Sequence, residues 1–226
     1  MADIFEKIRE IGKTPIIAQI GGFRPEENIH SWFGGNFLLK PNSLWPQDCD
    51  GYMLPLIQIN VSEVPEGSVY FGDSKLVQIF INSKKLPSTP AKDGDGWRIV
   101  QYKSLDDMKS VSTPDGCSTL KPFQIKWSLF SKADYPCWEE CWDYFDLSEI
   151  QSNDQTDMFF EEFDRYSHTK IGGYASFIQS PNLHKFEYVI QIASEQKPNF
   201  MVADNGNIYI LKSKADGEWF LEWDCY

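Results

Sequence analysis

His30-Ser31-Trp32-Phe33-Gly34-Gly35 returns further along the chain as His168-Thr169-Lys170-Ile171-Gly172-Gly173. The shared pattern is His, hydroxyl, any residue, large apolar, Gly, Gly, and the offset holds across it (168 − 30 = 138 and 172 − 34 = 138). Two of the chain's three histidines stand at this matched place. A similarity at a fixed offset speaks of architecture before chemistry, because a repeated unit folds the same way twice.

The repeat runs on beyond the glycines. Met53-Leu54-Pro55-Leu56-Ile57-Gln58-Ile59 follows the first copy and Tyr188-Val189-Ile190-Gln191-Ile192 the second, each closing on Ile-Gln-Ile. A further apolar run comes next in both, Leu76-Val77-Gln78-Ile79-Phe80-Ile81 and Asn207-Ile208-Tyr209-Ile210-Leu211. Short apolar runs rich in Ile and Val between turn residues read as buried strands. The expected fold is α+β and mainly β. Two β-rich units make one domain over residues 1–226, related by a pseudo-twofold axis, with helices at the N-terminus and between the units. The first unit spans about residues 14–130, an acidic helical connection residues 131–166, and the second unit residues 168–226. His30, Gly34, Gly35, Gln58, His168, Gly172, Gly173 and Gln191 form the repeated structural motif. The two histidines are expected to donate an imidazole N–H to a backbone carbonyl near each Gly-Gly turn. The rival is a paired metal or catalytic site.

Other segments fill in this frame. Ile4, Phe5, Ile8 and Ile11 make a helical stripe over residues 2–12. Strands are expected at residues 14–20, 54–59, 76–81, 97–102, 120–130, 174–179, 188–192, 208–212 and 219–223. Residues 104–118, polar and holding Pro114, Asp115 and Gly116, read as a loop. Residues 138–145 and 155–166 read as helices. In the second, Phe159, Phe163 and Tyr166 form a buried stripe, and Asp154, Asp157 and Glu161 an acidic one.

Composition restricts the functions. Of 226 residues 42% are hydrophobic, enough to build a real core. No apolar run nears the ~18 residues of a membrane span, so no membrane association is expected. The first residues mix charges into apolar positions, unlike a signal peptide, and a cytoplasmic location is expected. Net charge is −12, and residues 131–166 hold eleven acids and two bases, a net of −9. Such a chain is a poor partner for nucleic acid, whose phosphates need Lys and Arg.

Candidate chemical motifs give way to structural readings. Gly34-Gly35 and Gly172-Gly173 lack the G-x-G-x-x-G spacing of a phosphate loop. Asp48-Cys49-Asp50-Gly51 and Asp93-Gly94-Asp95-Gly96 lack the rest of a calcium loop and read as turns. Cys137 and Cys141 form a C-x3-C pair without the second pair that zinc wants, and the five cysteines are read as free thiols. Glu161 and Glu162 point about 100° apart on a helix and do not converge on one substrate atom. No G-x-S-x-G, H-E-x-x-H or nucleophile with an evident base occurs. No cofactor or metal is expected.

Ser31-Trp32-Phe33-Gly34-Gly35, Trp45-Pro46, Leu54 through Pro65, His168 through Tyr174 with Gln179, Ile190-Gln191-Ile192 and Asp204-Asn205-Gly206 stand in an order that resembles the YwqG-like family. That family is a bacterial group catalogued as a domain of unknown function, and the resemblance covers roughly residues 14–226. Gly72-Asp73-Ser74-Lys75 departs from the family's usual turn before its second long strand. The resemblance implies distant kinship with the programmed cell death protein 2 group, which look like dedicated chaperones of a basic ribosomal protein. It also implies a role as an immunity or interaction module near bacterial toxins, and it supplies no catalytic residue.

The function read from these features is a non-enzymatic protein-binding module with a basic protein partner, chaperone-like or immunity-like. Asp154, Asp157, Glu161 and Glu162 are its candidate contact residues. The alternative is an enzyme or a small-ligand sensor with a site between the two units, for which Trp32, Trp45 and Trp97 are the aromatic candidates.

Overall fold

The structure is a computed structural model, and it describes residues 4–26, 29–115, 117, 120–179 and 184–226. In chain order the elements are α1 (Ile4–Glu10), β1 (Ile16–Ile20), β2 (Trp32–Phe33), β3 (Phe37–Leu39), β4 (Gln47–Asp48), β5 (Gly51–Tyr52) and β6 (Leu54–Asn60). A 3-10 turn, Val61–Glu63, leads to α2 (Gly67–Phe71), β7 (Leu76–Ile81), β8 (Ala91–Lys92), β9 (Trp97–Tyr102), β10 (Lys109–Val111) and β11 (Phe123–Leu129). Then come three short helices, α3 (Trp138–Cys141), α4 (Ser148–Ser152) and α5 (Thr156–Glu162). Four strands close the chain, β12 (Lys170–Ile171), β13 (Phe186–Ala193), β14 (Asn207–Ser213) and β15 (Trp219–Asp224).

The fold is mainly β with few helices, built on one large, nearly closed sheet. Its eleven strands run β8-β15-β14-β13-β12-β1-β11-β2-β6-β7-β9, antiparallel where paired. β8 and β9 lie at opposite ends of this order, yet only four residues separate them in the chain. That short link draws the two ends together. Trp97 Nε1 donates to the Ala91 carbonyl at 3.1 Å, and Trp219 Nε1 of β15 donates to Gln101 Oε1 of β9 at 3.2 Å.

Alternation along the strands divides the side chains between two faces. Val77, Ile79 and Ile81 of β7 and Ile208 and Ile210 of β14 enter the main core, joined by Leu56, Ile57, Ile59, Ile171, Ile190 and Ile192. The intervening Phe80 packs with Phe37, Leu39, Trp45 and Met53, beneath the β3–β10 pair. Tyr209 and Leu211 pack with Cys137, Ala175 and Phe177. Both faces of β6 and β7 are thus covered, which is why every residue of the two is buried and why they read as continuous apolar runs. Full burial of one such side chain contributes about 1.5–3 kcal/mol.

Two pairings on either side of the sheet's middle have like register. β2 meets β6 with Trp32 opposite Gln58 and Phe33 opposite Ile57. β12 meets β13 with Lys170 opposite Gln191 and Ile171 opposite Ile190. The β6–β7 ladder shifts between Pro55 and Ile57, and the β13–β14 ladder between Tyr188 and Ile190.

The helices form a separate small core. Phe5 and Ile8 of α1 pack with Cys141, Leu147, Ile150, Phe159 and Phe163. Ile4, Phe5 and Ile8 of the expected stripe lie on α1, which ends at Glu10, so that Ile11 falls in the turn after it; residues 2 and 3 of the expected helix lie outside the described residues. The 155–166 helix ends earlier than expected, with Phe163 as its C-cap, and Tyr166 packs instead against Phe130 at 4.9 Å.

Two expectations need correction. Residues 174–179 are not a strand. Their amides go to side chains: Ser176 N–H to Gln191 Oε1 at 2.8 Å, and the Ile178 and Gln179 N–H groups to Asp224 Oδ2 at 2.8 and 3.1 Å. An amide so used cannot join a ladder. The 104–118 loop does hold a strand, β10, paired with β3. Its Gly116 lies outside the described residues.

Candidate functional site

Each copy of the repeated motif ends in a Gly-Gly turn. Gly34 and Gly35 have φ of 63° and 83°, and Gly172 and Gly173 have 67° and 69°, the left-handed region that favours glycine. Gly34 N–H bonds the Leu56 carbonyl at 2.9 Å, and Gly172 N–H bonds the Val189 carbonyl at 3.0 Å. Behind each turn a fully buried glutamine ties the chain. Gln58 Nε2 donates to the His30 carbonyl at 2.9 Å while its Oε1 accepts from Leu38 N–H at 2.9 Å. Gln191 Nε2 donates to the His168 carbonyl at 3.0 Å while its Oε1 accepts from Ser176 N–H. Ser31 Oγ accepts from Asn60 N–H at 3.0 Å and Thr169 Oγ1 from Ala193 N–H at 3.2 Å.

The histidines differ from expectation in their rings. It is their carbonyls, not their imidazoles, that are held alike. His30 Nδ1 bonds the Glu63 carboxylate, whose other oxygen accepts from Ser31 N–H and Oγ at 2.8 and 2.7 Å. His168 is exposed, edge-on to the Tyr166 ring at 5.6 Å.

A buried ion pair lies beside the second turn. Lys170 and Asp134 are 0% and 1% exposed at their side chains, with Nζ 2.5 Å from Oδ2. Lys170 Nζ also donates to Ser176 Oγ at 3.1 Å, and Asp134 Oδ1 accepts from Tyr166 N–H at 2.9 Å. Burial pulls the Lys170 ammonium down to about 8, against the pull of the Asp134 carboxylate. No sequence signal marked this pair. Lys170 sits mid-motif in an apolar context, and Asp134 is 36 residues away.

The acidic connection presents a face. Of its eleven acids nine are exposed, while Asp134 and Glu140 turn inward. Asp154, Asp157, Glu161 and Glu162 are all exposed, and Glu162 pairs with Arg9 at 2.5 Å. Glu140 closes a capping box on α3: its carboxylate accepts from Cys137 N–H at 3.0 Å, and Cys137 Sγ accepts from Glu140 N–H at 3.5 Å. Large apolar side chains interrupt the acids: Trp142, Tyr144, Met158 and Phe160 are 41%, 54%, 54% and 54% exposed. Trp138 links two of them, with its ring centroid 6.1 Å from both Trp142 and Phe160. These exposed aromatics were missed from the sequence. The signal was there: a helix that buries Phe159 and Phe163 turns Phe160 outward.

Next to this face opens a cleft of about 770 Å³. It lies between α3 with the turn after it, the Gly172–Gly173 turn, and the start of β13, with Tyr70 of α2 at its rim. Glu139, Asp143, Glu187, Tyr144 and Tyr188 are in its walls. Burial raises the Tyr188 hydroxyl well above its ordinary value.

Trp32, Trp45 and Trp97 are buried at 9%, 7% and 0%; Trp45 lines a separate cleft of about 320 Å³ with Leu44 and Tyr52, and the three do not share a pocket among the described residues. Among the described residues, the one cluster of three His, Cys, Asp or Glu side chains spaced for a metal ion is Asp48, Cys49 and Asp50. Asn82 Nδ2 already bonds both its carboxylates, at 2.7 and 2.8 Å. All five cysteines are free, and burial pushes Cys137 and Cys141 up to about 12, far from reactive thiolates. No helix among the described residues is long and apolar enough to cross a membrane.

No curated protein matches the chain. Residues 31–219, most of the sheet together with the helical connection, match the model of the family described as "Domain of unknown function (DUF1963)". The chain belongs to that family.

Proposed function

We propose that the chain is a non-enzymatic protein-binding module whose acidic helical face takes a basic protein partner. One observation carries the reading: nine exposed acids in residues 131–166 share their surface with the exposed Trp142, Tyr144, Met158 and Phe160. Exposed apolar patches rimmed by charge mark interaction sites, and aromatic anchors supply much of the energy of such contacts. One-signed charge adds speed of encounter and choice of partner. The YwqG-like resemblance, with its chaperone-like or immunity-like relatives and a cytoplasmic setting, belongs to the same reading.

The platform beneath this face is read as a duplicated unit about a pseudo-twofold axis. The like registers of Gln58 and Gln191, the two ladder shifts, and the matched bonds of each glutamine support it. On this reading β11 is the counterpart of β1. Superposing residues 30–82 on 168–212 tests this: the same strand order is expected, and a different order removes the duplication.

The test of function is capture of a partner from native lysate at low and high salt. It compares the wild type with the variant carrying Asp154→Asn, Asp157→Asn, Glu161→Gln and Glu162→Gln. Screening shortens the reach of charge from about 10 Å at 0.1 M salt to about 3 Å at 1 M. Capture should fall with salt and with the substitutions. A partner held equally by both proteins at both salts rules out the acidic face.

A further inference from the structure

Acids and aromatic residues share the lining of the cleft beside α3 with Lys13, His184 and Lys214. Tyr70, Tyr144 and Tyr174 are among its lining residues, and so are the acids Glu139, Asp143 and Glu187. One ammonium is already held over a ring: Lys13 Nζ lies 4.4 Å from the centroid of the Tyr174 ring. Asp143 is partly engaged, with Oδ2 3.3 Å from His184 Nδ1, and Lys214 Nζ rests on the His184 carbonyl at 3.2 Å. Glu139 and Glu187 have no ion pair among the described residues. Gly172 also lines the cleft, and a Cβ there would fall 2.1 Å from Tyr70 Oη. Rings that flank an alkyl stem, with unpaired carboxylates beyond them, match the chemistry of lysine and arginine. The acids would repel an anion, and the polar lining suits no purely apolar ligand.

We infer that this cleft receives a lysine or arginine side chain from a basic segment of a protein partner lying on the acidic face. The occupant is a protein side chain rather than a free amine because Glu139, Asp143 and Tyr144 belong to the cleft and to the acidic face at once. A chain lying on that face passes over the mouth. The inference rests on the protein-binding reading and goes beyond it by naming the anchor.

The experiment is fluorescence anisotropy of a labelled lysine-rich peptide, and of the same peptide with its lysines acetylated, at low salt. Glu139→Gln with Glu187→Gln is expected to weaken the lysine peptide by about fivefold or more, and Tyr144→Ala by about two- to fivefold. Lys13→Gln vacates the Tyr174 ring and should tighten binding by about two- to fivefold. Lys132→Gln, an exposed lysine of the same segment outside the cleft, removes the same charge and controls for simple electrostatics. Asp157→Asn with Glu161→Gln controls for the face outside the cleft. The inference is overturned if the two lysine substitutions tighten equally, if the acetylated peptide binds as well, or if cleft variants bind like wild type. In that last case, loss of binding in the Asp157 and Glu161 variant leaves the protein-binding reading standing. If the lysine peptide fails to bind the wild type, the inference fails, and capture from lysate decides the protein-binding reading separately.

Discussion

Replacing Asp134 with asparagine removes the charge facing Lys170 and keeps the side chain's size. Neither partner is exposed, so no water can take over the carboxylate's part. Lys170 Nζ would keep Ser176 Oγ at 3.1 Å as its remaining oxygen partner from the present set. The amide oxygen of the new side chain can still accept from Tyr166 N–H, so the loss is concentrated on the ammonium. Removing one partner of a buried pair costs about 3–5 kcal/mol, because an uncompensated charge stays behind. With a urea m-value of about 3 kcal/mol/M, the unfolding midpoint should fall by roughly 1–1.7 M. The partner substitution supplies the decisive comparison. If the cost lies in the stranded charge, adding Lys170→Met to Asp134→Asn should restore part of the midpoint, since the apolar side chain removes the charge and leaves only the new amide group short of a partner. Urea unfolding followed by tryptophan fluorescence measures all three. A fall of less than about 0.3 M for the single variant, or a double variant no more stable than the single, refutes the reasoning.

Lys170 also makes a pH prediction. Its folded value is lowered to about 8 from 10.5, so between these the unfolded chain binds more protons and stability rises with pH, by at most about 1.4 kcal/mol per unit. Below about 8 both states hold the proton and this dependence disappears. The wild type should gain midpoint over Lys170→Met between about pH 8 and 10; an unchanged difference contradicts the desolvated amine. Gly34→Ala should cost about 2–4 kcal/mol, combining a left-handed backbone with a Cβ placed 2.7 Å from Leu120 Cβ. Gly172→Ala should cost less, about 1–2 kcal/mol, because its obstacle is the movable tip of Tyr70; equal losses in thermal unfolding would contradict this ranking. With a thiol reagent on the native chain, exposed Cys49 should react first, and Cys137 and Cys141 only on unfolding. Rapid labelling of Cys137 by mass spectrometry counts against its burial.

The long strands were legible because they bury both faces. β6, β7, β13 and β14 are apolar runs between turn residues, and the recurring Ile-Gln-Ile marked two of them. Strands of two or three residues were not, since Ala91–Lys92 and Lys109–Val111 are too short to show a period. Missing β8 hid the near-closure of the sheet. The 174–179 run looked like a strand, and only tertiary partners, Gln191 and Asp224, take its amides away. The acidic face was visible as charge, but the cleft was not. Tyr70, Tyr144 and Tyr174 are far apart in the chain, and no local spacing connects them. The tryptophans that seemed the better pocket candidates are large and apolar enough to be core, and they are.

β1 sits between β11 and β12, and both are made long after it. On a ribosome, roughly a hundred residues must be added after Ile20 before Phe123 exists, which at about 5–20 residues per second takes about 5–20 s. For that interval β1 has neither of its ladder neighbours, while β2, β6, β7 and β9 can already pair in the order they emerge. The two unpaired edges of an apolar strand are open to any other extended chain. A product that stops at residue 122 keeps β1 in this state permanently, with no ladder to join.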